Sequence, residues 1–133
     1  MLPWQEIGTA LPCVNWAGGA ISDFVITLLA PIDLDAAADS WPVDRAAAIT
    51  CINMVHISPW SATEGLFRGA SRLLPNGASL YLYGPYRRGS RPLEPSNEHF
   101  DESLRARDAA WGLREVDEVV ALAPQLLVRR APA

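Results

Sequence analysis

Residues 46–83 run from one apolar segment through an amphipathic one into a second apolar segment, and few folds accommodate that order. "AAITCINMVHI" at 47–57 is almost continuously apolar and rich in β-branched residues. That is the pattern of a strand covered on both faces of a parallel sheet. In "SATE", Ser61 and Glu64 fit a capping box at a helix start. Ala62, Leu66, Phe67, Ala70, Leu73 and Leu74 then recur at the spacing of one helical face. Pro75, Asn76 and Gly77 stop that helix, and "ASLYLYG" reads as the next strand. Strand, helix, strand in this order predicts a βαβ crossover with adjacent parallel strands over 46–57 and 78–83 and a helix over 61–74.

The flanks are less regular. "PSNEHFDESLRARDAAWG" at 95–112 predicts an amphipathic helix with Phe100, Leu104 and Trp111 on one face and an Asp101–Arg105 pair four residues apart. A short helix over 116–123 should end at Pro124, with "QLLVRR" as a closing strand. Upstream, "APIDLDA" reads as a short strand ending near Asp35. Residues 1–32 show no clean period. With 133 residues the chain is expected to form one domain, long enough to bury a core without staples.

Charge and composition exclude several functions. The net charge of -4 offers no general attraction to nucleic acid or anionic membrane. Residues 1–44 carry six acids and no base, whereas 45–95 carry six arginines and two acids, an asymmetry read as solvated faces. Cys13 and Cys51 lack C-x-x-C or zinc spacing, and His56 and His99 stand on separate elements, so no metal site is expected. "FVITLLAPI" is too short to span a bilayer, and no signal-type segment is evident; a soluble cytoplasmic protein is the expectation. The sequence contains no G-x-S-x-G elbow, Walker A loop or H-E-x-x-H.

What remains is a set of polar residues where two parallel strands should end. Ligands of open α/β sheets bind at the carboxyl ends of the strands. Asn53, His56 and Ser58 approach one such end, "YGPYRRG" leaves its neighbour, and Asp33 and Asp35 would join them if "PIDLDA" is a parallel strand. Two readings stay open for Asn53 and His56: partners of nearby backbone or loop groups, or contacts to a ligand. Should both serve one site, the chain must leave strand geometry near Val55. His56 is then expected to be partly exposed and Asn53 deeper and hydrogen-bonded. Arg87 and Arg88 are read as solvated.

The blocks "CINMVHISPWSATEGLFRGASRLL", "LYLYGPYRRG", "PSNEHFDESLRARDAAWG" and the earlier "LD…WP" resemble the domain-of-unknown-function 938 family, the methyltransferase-like 26 type. The resemblance spans about residues 33–123. It implies a Rossmann-like α/β fold similar to class I S-adenosylmethionine-dependent methyltransferases, and transfer of a methyl group to an acceptor, a small molecule or another, that the resemblance does not identify. Carried over, it places Asp35 near the adenine of S-adenosylmethionine and Asn53 beside its methionine part. His56 and Tyr86 become catalytic, with Ser58, Trp60 and Tyr83 bordering the transfer site.

The pattern departs from the family fold in two places. No G-x-G-x-G is present, "WAGGA" at 16–20 being a poor stand-in, so the first strand and glycine-rich loop are expected to be missing. The C-terminal strands look shortened as well. The sheet is therefore expected to be incomplete and the chain truncated, with an edge open to self-association. The competing reading is a non-catalytic binding or interaction module on a degenerate methyltransferase fold.

Overall fold

The computed structural model describes residues 29–126. The chain divides into two compact units, Met1–Asp33 and Leu34–Ala133. Residues 29–33 of the first carry no regular structure and expose Leu29 and Ile32. In the second unit the described elements are β1 (Ile49–Ile52), α1 (Trp60–Leu73), β2 (Leu80–Tyr83), α2 (Pro95–Arg107) and α3 (Val116–Leu126), with a 3-10 turn at Val55–Ile57. It is a mixed α/β unit.

The central βαβ expectation holds. β1 and β2 pair in parallel with Ile49 opposite Leu80 and Ile52 opposite Tyr83. Beyond β1 the ladder continues through the Asn53 N–H, which donates to the Tyr83 carbonyl at 2.8 Å. β1 is shorter than the apolar run because Asn53 adopts φ +58°, a left-handed conformation that asparagine tolerates and a strand cannot.

Coverage differs from the expectation. Burial alternates along both strands. Leu80 and Leu82 pack against a buried cluster of Val55, Phe67, Val119 and Leu122. Successive strand side chains point to opposite faces, so Ile52, Tyr81 and Tyr83 fall on the other side, about 60 % exposed. Among the described residues the sheet is thus covered on one face only, by α1 and α3, which pack against each other. A continuous apolar run does not distinguish these cases, because its outward residues are as hydrophobic as its inward ones.

α1 matches its expected span, but the capping box does not form. The helix begins at Trp60 with Pro59 at its N-cap and no side-chain cap bond, which places Ser61 inside the first turn. The Pro59 carbonyl instead accepts the Ala62 N–H at 3.0 Å. Gly65 and Gly69 lie one turn apart on α1. A Cβ at Gly65 would stand 2.1 Å from the Ala36 carbonyl oxygen, and one at Gly69 2.3 Å from the Trp41 ring. These two positions let the segment 36–41 lie directly on the helix.

That segment also overturns the upstream strand. Asp35 begins a turn: its Oδ1 accepts the Ala37 N–H at 2.9 Å and its carbonyl the Ala38 N–H at 3.1 Å. These bonds capture donors that a strand would offer a neighbour. No strand occurs among the described residues before β1.

α2 opens with Pro95 in its first turn and ends at Arg107, well short of Gly112. Asp108 stops it, accepting the Ala110 N–H at Oδ1 (2.8 Å) and the Trp111 N–H at its carbonyl (3.0 Å). Trp111 therefore leaves the helical face it was expected to share with Leu104. α3 runs through Pro124 rather than ending there, and Gln125 and Leu126 of the expected closing strand belong to it. The rest of that strand and "WAGGA" lie outside the described residues. No described helix is long and apolar enough to cross a membrane.

Candidate functional site

The left-handed turn at Asn53 redirects the chain from β1 into the 3-10 turn, which carries His56. Ser58 then takes an extended conformation ahead of Pro59, as a residue before proline should. The expected departure from strand geometry is therefore present, beginning at Asn53 rather than Val55. After β2, Gly84 takes φ +157° and passes beside both side chains. A Cβ there would meet His56 Cε1 at 3.3 Å, His56 Nδ1 at 3.4 Å and Asn53 Oδ1 at 3.4 Å. Asn53 and His56 thus converge over one backbone position at the carboxyl ends of two adjacent parallel strands.

Their burial is the reverse of the expectation. His56 is 4 % exposed, while Asn53 is exposed. Asn53 sits at the surface because its backbone makes the turn; His56 follows on the 3-10 turn that also buries Val55. The imidazole meets Phe100 of α2 edge-on, with centroids 5.6 Å apart and planes at 69°. No described residue hydrogen-bonds either ring nitrogen. Burial pushes the imidazole pKa down, so the neutral, basic form prevails at neutral pH.

The other expected site residues are distributed as follows. Ser58 is buried, and its hydroxyl donates to the Met54 carbonyl at 2.8 Å. Trp60 and Tyr86 are half-buried against the Val55–Phe67 cluster. The Arg114 guanidinium lies 5.8 Å from the Trp60 ring centre and donates to the Ser58 carbonyl at 3.1 Å, fixing the segment between them. Burial, and secondarily the Cys51 thiol, push the Tyr86 phenol up and keep it protonated. Tyr83 stands on the open sheet face, and Asp35 is exposed on the turn against α1. Among the described residues no group of three or more His, Cys, Asp or Glu side chains could hold a metal ion.

Behind His56 lies a polar anchor that the residue pattern did not reveal. Asp101 is 4 % exposed and accepts from the Leu113 N–H at Oδ1 (2.7 Å). Its Oδ2 accepts from Arg87 Nη2 (2.5 Å) and Arg105 Nε (3.2 Å). The Asp101–Arg105 pair was expected from its spacing. Arg87 was expected in solvent, yet it pairs with Asp101, which no local signal links to it. Burial alone would raise the Asp101 pKa. The Leu113 N–H and the Arg87 and Arg105 guanidinium groups outweigh that and hold it below the ordinary carboxylate value. A depressed carboxylate stabilises the fold above its unfolded pKa, near 4, and that contribution is lost as pH falls through the folded value. Urea unfolding at stepped pH should therefore show stability falling below about pH 4, and less steeply in an Asp101→Asn variant.

A family model described as "Protein of unknown function (DUF938)" matches residues 20–130. The chain belongs to the DUF938 family. The match takes in every described element of this DUF938 domain and extends the sequence resemblance to residue 20. No solved structure matches the domain.

Proposed function

We propose that this DUF938 domain is an S-adenosylmethionine-dependent methyltransferase-type domain acting on a small-molecule acceptor, with its site at the carboxyl ends of β1 and β2. The observation that carries the reading is the convergence of buried His56 and Asn53 on Gly84 at that edge. Ligands of open parallel sheets collect at such edges. Family membership supports it through the likeness of these proteins to class I methyltransferases.

Asn53 and Asp35 are the residues this reading assigns to the cofactor's two ends. Asn53 has an exposed amide whose Oδ1 lies over Gly84, suited to the amino-acid end. Asp35 spends Oδ1 on Ala37 and keeps Oδ2 for the ribose–adenine end. When bound, the cofactor supplies a methyl group on a sulfonium, open to in-line displacement.

The chain's own part is to hold the acceptor and take its proton. His56 Nδ1, the ring nitrogen beside Gly84, accepts that proton, a role that suits an imidazole kept neutral by burial. Tyr86, protonated, donates a hydrogen bond to the acceptor. Tyr83 and Trp60 offer aromatic surface at the border, with Ser58 anchoring the segment that carries Trp60. Orienting the acceptor is the larger contribution, since displacement at carbon needs alignment above all.

These 133 residues contain no G-x-G-x-G, and this favours a second reading, a binding module without turnover. Without that turn, backbone donors for the cofactor are fewer and affinity falls. Calorimetric titration with S-adenosylmethionine should give a Kd weaker than about 100 μM. Low-micromolar affinity would show that another segment supplies the missing donors. Absence of binding at millimolar cofactor would overturn the proposal, and binding without any acceptor turnover would favour the second reading.

A further inference from the structure

Asp101 is the one buried carboxylate among the described residues. Isolating a carboxylate from water is costly unless it is fully partnered. Here three donors from three parts of the chain partner it: Arg105 on α2, Arg87 after β2, and the Leu113 N–H ahead of α3. Each of these neighbourhoods also touches His56. The residue before Asp101 is Phe100, whose ring meets the imidazole. The segment leading to Arg87 begins at Gly84, against the imidazole. The residue before Leu113 is Gly112, whose N–H donates to the His56 carbonyl at 3.0 Å.

Two further features bind these segments together. The Arg87 N–H donates to the Arg114 carbonyl at 2.8 Å, and the Arg87 carbonyl accepts the Val116 N–H at 2.9 Å. Gly112 sits at φ +142°, where a Cβ would stand 2.9 Å from Asp101 Oδ1 and 3.0 Å from the Arg105 guanidinium carbon. The consecutive amides of Gly112 and Leu113 therefore point one to His56 and one to Asp101.

We propose that Asp101 is a positioning residue for His56, fixing through Arg87, Leu113 and its own helix the three segments that enclose the imidazole. An apolar residue could fill the same space, but it would not set the relative positions of three loops as a saturated polar hub does. The importance of this for activity rests on the reading of His56 as the base; the coupling itself does not.

The test uses the full chain labelled with 13C and 15N at histidine, and follows the His56 imidazole by NMR across pH. The other histidine, His99, is exposed on α2 and gives a separate signal. The ring meets Phe100 from α2 and lies beside Gly84 after β2, neither of them charged. Its midpoint therefore reports chiefly how well water is excluded. In Asp101→Asn, with cooperative unfolding retained, the His56 midpoint should rise toward the ordinary histidine range as the enclosing segments loosen. Loss of the carboxylate charge alone would move it the other way, so the sign separates positioning from simple electrostatics.

Arg87→Lys keeps the charge and alters only the reach of the tie, and it should produce a smaller rise. Because the Arg87 side chain is 38 % exposed, this variant carries the test even if Asp101→Asn fails to fold. Folded variants in which His56 titrates at or below the wild-type midpoint would overturn the proposal and leave Asp101 a stabiliser of α2 alone. No cofactor enters the measurement, so its outcome is independent of whether S-adenosylmethionine binds.

Discussion

Replacing His56 by glutamine is expected to slow methyl transfer by about 10²–10⁴-fold, the usual worth of a positioned general base. Cofactor affinity should change by no more than about threefold, since the imidazole is assigned to the acceptor's proton. Glutamine is the informative substitution because His56 is 4 % exposed and packed on Phe100. Alanine would open a void there and confound loss of chemistry with loss of packing. Glutamine fills similar space, keeps a polar tip and removes the base. The ring nitrogens have no hydrogen-bond partner among the described residues, so the stability cost should stay near about 1 kcal/mol. The assay counts S-adenosylhomocysteine released with a small-molecule extract as acceptor pool. Equal rates for the variant and wild type would make His56 a packing residue.

The second large effect is expected at Gly65. Gly65→Ala adds one methyl group, placed 2.1 Å from the Ala36 carbonyl oxygen and 2.7 Å from the Ala37 Cα. Both are backbone atoms, so no side-chain rotation relieves the clash and the 35–38 turn must lift from α1. Overpacking of this kind costs about 1–3 kcal/mol and more where backbone must move. Better helix propensity returns about 1 kcal/mol. A net loss of about 2 kcal/mol or more is expected, read from the midpoint and slope of urea unfolding. Gly69→Ala is the control. It meets the Trp41 ring, a side chain that can swing away, and should cost less. Because the displaced turn carries Asp35, Gly65→Ala should also weaken cofactor binding. A Gly65→Ala protein as stable as wild type would mean that the turn does not lie on α1 as described.

These positions show which parts of the molecule its sequence discloses. The strand, helix and strand between residues 46 and 83 were legible because local signals agree there: β-branched run, helical period, and a Pro-Asn-Gly stop. The capping box misled because the helix starts at Trp60 with Pro59 at its N-cap, so Ser61 never occupies the cap. The two-sided burial of the strands misled because Ile52, Tyr81 and Tyr83 are apolar yet face outward. At the site, the convergence of Asn53 and His56 was legible from strand ends, but their depths were not. A left-handed asparagine leaves no trace in hydrophobic periodicity, and its turn decides which side chain goes inward. The partnership of Arg87 with Asp101, and of Phe100 with His56, spans too many residues for any local pattern to announce. Such links are set by how α2 returns over the sheet edge.

The central claim is that the edge where Asn53, His56 and Gly84 meet is a ligand site. Amide chemical-shift mapping with S-adenosylhomocysteine on the 15N-labelled chain tests it most directly. Saturable shifts at millimolar ligand, largest at Asn53, His56 and Gly84 and attenuated in Asn53→Ala, are the expected result. Shifts centred elsewhere, such as on the pocket lined by Ser71, Asn76 and Leu80 at the opposite end of β2, or no shifts at all, would contradict it.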